Sequence, residues 1–436
     1  MSFDQLPKNI RLQIFCNLSL RDLMKIGRVS KDIRQISEMA VSETKKLKLA
    51  DEALGDASIE SISKILKLCS QNVEEIEIIE SDEPVTIEMM DAIVENKYPK
   101  LIKFSAEHIA FQFPPYYFGA MLKRCPNLKV INWISEVGDE ALNEMYGRSF
   151  NNLTRVNVRH CSKKFLRSIG QCAPNLKKVC LAAPLPEQDQ SLSKKLLEES
   201  FANLSQLESA WLFFSGVQCS MASIKKFFRM TSLRSLTLQS NGINDEFLIM
   251  IAKRLIKLRK ITFRFEGDSL VSSRGVGALA SLPNLTNFCI LRVHDTEQDI
   301  DEGMRKLADA GRLQVIDVSE NLSSTTVIKL MYGCPNLKTM AVNDVPDIDS
   351  IEKAVEFLKS LSGFPQQNVR IGFLNALLRP CIEGICRSKE MSQVAEQLRA
   401  SADGREIYVY PFMVRFVDED EEEEHNDDEV PAMLGW

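Results

Sequence analysis

The sequence predicts an α/β solenoid, in which strand–helix repeats stack into a parallel inner sheet with outer helices, preceded by a small all-helical domain. Three observations lead to this fold class. An apolar motif recurs in phase along most of the 436 residues, helical patterns follow its copies, and the first 44 residues lack the motif but carry apolar residues at helical spacing. A single strand–helix unit cannot bury its apolar side, whereas stacked neighbours can.

Residues 1–44 are the first predicted domain, a set of three short helices. Ile10 and Ile14 recur at helical spacing, and Pro7 suits the first turn of a helix that starts near Asp4. So few residues in short helices bury little core alone. Their apolar surface therefore needs a partner, which is either the adjacent repeats or another protein.

The residues of this domain resemble an F-box. Leu6-Pro7-x-x-Ile10, Ile14-Phe15-x-x-Leu18, Asp22-Leu23 and Val29-Ser30-Lys31-x-Ile33 follow the order and spacing of that family, although Asn9 replaces a common acidic residue and Ile33 a common aromatic one. The resemblance implies a helical hook that binds a Skp-type adaptor and, through it, a cullin. The alternative is a helical cap that only seals the first repeat. The implied adaptor-binding residues are Leu6, Pro7, Ile10, Ile14, Phe15, Leu18, Leu23 and Val29.

The repeat occupies residues 45–375, the second predicted domain. Each copy starts at a Leu or Val and has apolar residues three and five positions later, as in Leu153-TRVNV. Intervals between starts run from 23 residues (153 to 176) to 32 residues (337 to 369). The pattern resembles leucine-rich repeats in their longer strand–helix form, which implies a horseshoe and a binding role. The starts are Leu47, Val73, Leu101, Leu128, Leu153, Leu176, Leu207, Leu233, Leu258, Leu285, Leu313, Leu337 and Val369.

Residues two, four and six positions after each start are predicted to line the inner face of the sheet. They include a basic stretch with two aromatic residues, a combination that suits an acidic or phosphorylated protein substrate with an apolar anchor. Because a one-residue shift in register would turn the two aromatic residues into the core, both registers stay open at this point. The predicted substrate-binding residues are Arg155, Arg159, Lys178, Trp211, Phe213, Lys260 and Arg264.

Two further domains are predicted after the repeats: a C-terminal cap at residues 376–417 and a disordered acidic tail with an apolar end at residues 418–436. Asp418–Glu429 holds 10 acidic residues and no basic ones, so it cannot pack at neutral pH. Apolar residues follow, among them Met433 and Trp436. The tail either solvates the chain only or lies across the basic inner face as an autoinhibitor.

Composition excludes several classes of function. Without the 10 acids of the tail, 60 − 10 = 50 acidic residues face 54 basic ones, a net charge of +4 that is too weak to indicate nucleic acid. No apolar run approaches the roughly 18 residues of a membrane helix, and the N-terminus shows no secretory signal. An intracellular protein, cytoplasmic or nuclear, is therefore expected, in which the 11 cysteines stay reduced.

Residues typical of catalysis do not form a pattern. The four histidines lie far apart in sequence, and Cys381 with Cys386 lacks the second pair that a zinc site needs. Neither a phosphate-binding glycine loop nor a nucleophile motif occurs. The sequence therefore predicts no catalytic residue, no metal and no cofactor.

The order of an F-box followed by leucine-rich repeats resembles the substrate receptors of Skp/cullin/F-box ubiquitin ligases. The resemblance implies a non-catalytic adaptor whose F-box docks the Skp-type adaptor and whose repeats hold a protein substrate for ubiquitination and proteasomal degradation. Membranes and nucleic acid are not expected partners. An acidic-tailed leucine-rich-repeat protein or chaperone for basic nuclear proteins, without a ligase role, is the alternative. A GTPase-activating repeat protein is a third class, but the sequence singles out no catalytic arginine for it.

Overall fold

The structure is a computed structural model, and it describes residues 5–49, 58–79, 86–108, 114, 116–137, 150–184, 204–218, 229–241, 243–265, 271–292, 299–362 and 370–373. The C-terminal cap and the acidic tail predicted at 376–436 lie outside the described residues. The chain divides into two compact units, Met1–Ile243 with Arg254–Leu258 and Asn244–Lys253 with Arg259–Trp436.

Three helices open the first unit: α1 (Lys8–Phe15), α2 (Leu20–Ile26) and α3 (Lys31–Ser42). The hydroxyl oxygens of Ser19 and Ser30 cap α2 and α3 by accepting hydrogen bonds from main-chain N–H groups three residues later. Helix α1 begins directly after Pro7, which is its N-cap and makes no side-chain capping bond. The predicted placement of Pro7 in the first turn of this helix is therefore wrong, because its extended backbone precedes the helix. Asp4, the predicted start, lies outside the described residues.

The other described residues of the first unit form mainly parallel strands with intervening helices. Strands that are neighbours in sequence pair in parallel, in the order β1 to β8. The strands are β1 (Lys46–Leu49), β2 (Glu75–Ile79), β3 (Lys103–His108), β4 (Val130–Val137), β5 (Arg155–Cys161), β6 (Lys178–Pro184), β7 (Ser209–Gln218) and β8 (Ser235–Asn241). The helices are α4 (Ile59–Cys69), α5 (Ile87–Glu95), α6 (Tyr116–Arg124) and α7 (Lys163–Cys172).

Among its described residues, the second unit repeats this architecture with five parallel strands, again paired in sequence order. They are β9 (Lys260–Phe265), β10 (Asn287–Arg292), β11 (Val315–Val318), β12 (Thr339–Val342) and β13 (Arg370–Phe373). The helices are α8 (Asp245–Arg254, of which the last residue belongs to the first unit), α9 (Ser273–Ala278, continued by a 3₁₀ turn at Leu279–Ser281), α10 (Asp301–Ala310), α11 (Ser324–Gly333) and α12 (Ile351–Ser362).

The predicted α/β repeat is confirmed by the positions of its apolar residues. Every start from Val73 to Leu337 is buried, and so are the residues three and five positions later, as at Leu153, Val156 and Val158. These three positions alternate with inner-face residues along each strand, because successive side chains of a strand point to opposite faces. One apolar layer therefore runs between the strands and the helices within each unit.

The two outermost copies have a different register from the one predicted. Strand β1 pairs Lys46 with Glu75, so the residue equivalent to Val73 is Thr44 rather than Leu47. Strand β13 pairs Arg370 with Thr339, so the last start lies at position 368 and not at Val369. A short strand with alternating apolar residues fits the motif in more than one frame, and only the pairing partner selects one.

Asparagines that precede some of the start residues bind their repeat to the one before it. The side-chain amide of Asn127 donates to the main-chain oxygen of Pro99 at 2.7 Å, and that of Asn175 to the oxygen of Asn151 at 2.9 Å. The amide of Asn72 donates in the same way to the oxygen of Ser42, the last residue of α3, at 2.9 Å. The recurring Asn-Leu pair thus combines a buried apolar residue with a link between repeats.

In the second unit, aspartates at helix starts make a comparable link. Asp245, the first residue of α8, accepts hydrogen bonds from the main-chain N–H of Ser272 at 2.8 Å and from its hydroxyl at 2.6 Å. Asp301, the first residue of α10, accepts from the N–H of Ser323 at 2.9 Å and from its hydroxyl. Ser272 and Ser323 are the N-caps of the next helices, so each carboxylate ties two consecutive helix starts together.

Candidate functional site

The N-terminal helices expose a set of apolar side chains. Ile10 is 37% exposed, Ile14 41% and Val29 71%, and Pro7 is exposed beside them in sequence. Leu6 and Leu18 are half-buried. Several exposed apolar residues on a small helical domain are typical of a surface that another protein covers.

Two of the eight predicted adaptor-binding residues lie inside the chain instead. Phe15 and Leu23 are each only 3% exposed. Helices α1 and α2 both pack against α3, and Phe15 and Leu23 are the buried residues of α1 and α2. By packing in the interior, Phe15 and Leu23 fix the positions of α1 and α2 and so of the exposed residues on these helices.

The same three helices also seal the first repeat. Helix α3 packs against α4 and buries Ile36, Ala40 and Val41. A salt bridge joins Glu38 of α3 to Lys64 of α4 at 2.6 Å. Sealing the repeat and exposing an apolar surface are therefore compatible, because they use different helices of the domain.

A cavity of about 480 Å³ lies where these helices meet β1. Leu18, Leu20 and Leu23 contribute apolar lining, and three lysines contribute polar lining. Each of the three lysines forms an ion pair with a glutamate, so the three lysines do not give the opening of the cavity a net positive charge. The ion pairs are Lys45–Glu74 at 3.1 Å, Lys46–Glu75 at 3.1 Å and Lys48–Glu77 at 3.6 Å.

The structure decides the register around the two aromatic residues of β7. Ala210 and Leu212 are fully buried in the core, whereas Trp211 and Phe213 are half-buried on the opposite, inner face. Their ring centroids lie 6.1 Å apart with an interplanar angle of 71°, an edge-to-face contact. Of the two registers that the sequence left open, the structure has the one that turns both rings to the inner face.

Cationic residues lie close to this aromatic pair. Arg155 on β5 is the register partner of Lys178 on β6, and Cys180, two residues further along β6, is the partner of Trp211. Neighbouring strands are about 4.8 Å apart, so these positions form one continuous patch. Strand β5 also contains Arg159, whose side chain is not among those described.

The remaining predicted substrate-binding residues belong to the second unit. Lys260 and Arg264 lie on one face of β9, where Lys260 is exposed and Arg264 half-buried. They alternate with buried Ile261, Phe263 and Phe265. The structure therefore brings Arg155, Lys178, Trp211 and Phe213 together in the first unit and places the other two cations on a common face of the second.

The middle row of the inner face carries a feature that the sequence reasoning missed. Ser105, Asn132, Asn157 and Thr237 stand four positions after their repeat starts, and all four are buried although they lie opposite the core. The amide of Asn132 donates to the hydroxyl of Ser105 at 3.5 Å. The side-chain oxygens of Asn132 and Asn157 accept no hydrogen bond. Short polar residues at equivalent positions of successive copies are the sequence signal for this row.

The buried thiols of the described residues are suited to packing rather than to chemistry. Burial raises the pKa of Cys69 and of Cys125 to about 12, and that of Cys334 to about 11. Such thiols stay protonated at neutral pH and are poor nucleophiles. Within the ranges that the structure describes, no group of three or more potential metal ligands occurs. The same ranges contain no helix with the length and apolarity that crossing a membrane requires.

Comparison with known proteins identifies the N-terminal domain. Residues 3–42 match the F-box domain family. The solved structures similar to this chain include a crystal structure of a protein from Bacteroides fragilis, with 16% sequence identity and a TM-score of 0.36 over 60% of this chain and 77% of that one. No curated protein matches the chain. The N-terminal helices are therefore an F-box domain, and it precedes an α/β repeat array of parallel strands.

Proposed function

We propose that the chain is the substrate-recognition adaptor of a cullin-type E3 ubiquitin ligase. The F-box domain at residues 3–42 carries this proposal, because F-box domains bind Skp-type adaptors, and the adaptor links them to a cullin. We assign the strand–helix units to leucine-rich repeats, an assignment that their buried L-x-x-L-x-L positions support. The protein then acts inside the cell without catalytic activity of its own. It raises the local concentration of a substrate near an enzyme that carries ubiquitin.

The exposed apolar residues of the F-box are the proposed docking surface for the adaptor. Leu6, Pro7 and Leu18 extend the surface of Ile10, Ile14 and Val29, while Phe15 and Leu23 hold the helices in place. Burying these side chains in the complex supplies apolar burial energy of about 25 cal/mol per Å². The exposure of three large aliphatic side chains in the free chain supports this role.

The inner strand face is the proposed substrate surface. Arg155 and Lys178 beside Trp211 and Phe213 combine cations with an aromatic anchor, as an acidic or phosphorylated segment of a substrate requires. Arg159, Lys260 and Arg264 belong to the same proposal through their strand positions.

A chaperone for basic nuclear proteins is the second candidate function. The acidic run Asp418–Glu429 favours it, because 10 carboxylates without a cation attract basic partners. This run lies outside the described residues. The chaperone role needs no Skp-type adaptor, so adaptor binding separates the two functions.

The experiment is a pull-down of the full chain with a purified Skp-type adaptor. Wild type is compared with a variant carrying Leu6→Ala and Pro7→Ala, and with Ile59→Ala as a matched control, since Ile59 is 38% exposed but belongs to α4. We expect binding by wild type and the control and loss of binding in the double variant. Absence of wild-type binding would overturn the ligase role and leave the F-box helices as a seal for the repeats.

A further inference from the structure

We propose that the first residues of α4, α5 and α6 form an apolar row that binds a basic amphipathic helix of a protein partner. This helix-start row consists of Ile59, Ile87 and Tyr116. It belongs to the repeats of the first unit and includes no residue of the F-box surface or of the proposed substrate surface. The inference therefore adds a further partner and does not depend on adaptor binding.

The first observation is that three large apolar side chains are exposed at equivalent places. Ile59 is 38% exposed, Ile87 40% and Tyr116 45%, and each is the first residue of its helix. Outside the F-box, the described residues expose only two other large apolar side chains, Ile256 and Tyr332. Single exposed apolar residues are ordinary on a protein surface. Three of them at one position of consecutive repeats form a pattern, and a partner that covers them explains it.

Folding does not require an apolar residue at this position. Ser58 and Thr86 already cap α4 and α5 by accepting hydrogen bonds from main-chain N–H groups three residues later. Helices of the later repeats start with a polar or charged residue instead. These first residues are Lys163 in α7, Asp245 in α8, Ser273 in α9, Asp301 in α10 and Ser324 in α11. The apolar residues of the helix-start row are therefore better explained by binding than by folding.

Contacts between the helices bring the three side chains into one row. Helix α4 packs against α5, and α5 packs against α6. The hydroxyl of Tyr117, the second residue of α6, donates to a carboxylate oxygen of Asp91 on α5 at 2.6 Å. This hydrogen bond joins the first two turns of the two helices. Because the axes of packed helices are about 8–10 Å apart, the helix-start row is about 16–20 Å long.

Carboxylates beside the row determine the charge of the partner. Glu60 follows Ile59 and Glu88 follows Ile87 in sequence, and both glutamates are exposed. Acidic residues also suit the start of a helix, but α5 contains no lysine or arginine at all, and the cations of α6 lie in its last turn. The first cation of α4, Lys64, forms an ion pair with a glutamate of α3. The row is therefore complementary to lysine or arginine side chains of a partner.

The spacing within the row indicates a helical partner. One face of an α-helix recurs after seven residues, or about 10.5 Å, which is close to the step of about 8–10 Å between the side chains of the row. Along an extended strand, side chains of one face recur about every 6.6 Å and therefore fall out of step with the row. A helix with apolar residues seven positions apart and basic residues beside them fits both the spacing and the charge.

The test measures fluorescence anisotropy of labelled helical peptides with the full chain. The first probe is an Ala/Lys peptide with three leucines seven positions apart. The second has the same composition with the leucines five positions apart, and the third replaces every lysine of the first by glutamate. We expect the first probe to bind about tenfold more tightly than the other two. Ile59→Ser with Ile87→Ser should weaken the first probe about tenfold and leave the Tm nearly unchanged, because both side chains are exposed.

Control variants make the outcome specific. Ile256→Ser changes a side chain that is 55% exposed but lies outside the row, and should alter binding by no more than about twofold. Glu60→Gln with Glu88→Gln keeps the apolar contacts and should weaken the first probe about threefold at low salt but not at high salt. Tyr116→Ser repeats the apolar test on α6, in case the double serine variant does not fold. Equal binding of the three probes, absence of binding, or wild-type affinity in the serine variants would overturn the proposal.

Discussion

The apolar surface of the F-box allows a graded prediction for adaptor binding. Fully burying an aliphatic side chain stabilises by about 1.5–3 kcal/mol. Since 71% of Val29 and 41% of Ile14 are still exposed, burying the remainder contributes about 1.5 and about 1 kcal/mol respectively. We therefore expect Val29→Ala to weaken the Kd about tenfold and Ile14→Ala about fivefold.

Isothermal titration of the purified adaptor into the full chain measures both variants. Ile59→Ala is the control, because Ile59 has nearly the exposure of Ile10 but lies in the first repeat. Its Kd should equal that of wild type. Wild-type affinity in both F-box variants, or equal weakening by Ile59→Ala, would refute the assignment of the docking surface.

Phe15 provides the contrast within the same motif. It is 3% exposed, so Phe15→Ala removes core contacts and should lower the free energy of unfolding of the helical domain by about 3–5 kcal/mol. Circular dichroism during heating should show this loss, whereas Val29→Ala should leave the Tm nearly unchanged. If Val29→Ala lowered the Tm and Phe15→Ala did not, the result would contradict the exposure of Val29 and the burial of Phe15.

Three further predictions concern the repeats. Asn127→Ala removes two hydrogen bonds between repeats, one donated to the Pro99 oxygen and one accepted from the Asn152 amide, and should lower the free energy of unfolding in urea by about 1–2 kcal/mol; an unchanged midpoint would count against the link. Arg155→Glu with Lys178→Glu should abolish capture of an acidic peptide and leave adaptor binding intact, as parallel pull-downs would show; retained capture would exclude the cationic patch. The pKa values of Cys69 and Cys125 near 12 imply that stability falls as pH rises above about 9, because the unfolded thiols then lose protons that the folded ones keep. Urea titrations at pH 8 and pH 10 should show this decrease, and replacing both residues by serine should reduce it.

Much of the fold was predictable because its signal is local. The core positions of each repeat are three apolar residues within six positions, as at Leu153, Val156 and Val158, and alternation along a strand decides their direction. The register of β1 was not predictable in this way. Leu47 and Leu49 alternate with two lysines, and this pattern fits the repeat motif in more than one register. Only the pairing of Lys46 with Glu75 determines which residue is equivalent to Val73.

The candidate site was less predictable because its features depend on neighbours distant in sequence. Ile14 and Phe15 are adjacent apolar residues, but only the packing of α1 on α3 buries the second and leaves the first exposed. Asn132 and Asn157 are buried polar residues on the inner face, and the pairing that places them side by side joins strands that are separate in sequence. Hydrophobic periodicity predicts on which face of a strand a residue lies, whereas the burial of that residue depends on tertiary packing.

The short connection between the F-box and the first repeat has a mechanical consequence. Only Glu43–Lys45 separate α3 from β1, and Asn72 and Lys64 fasten α3 to the repeat that follows. The F-box domain is therefore closely joined to the first strands of the repeats, which are the proposed substrate-binding part of the chain. In the proposed function, transfer of ubiquitin depends on the time that a lysine of the substrate spends near the enzyme that carries ubiquitin. Loosening this joint should therefore slow transfer even when both parts bind their partners as tightly as before.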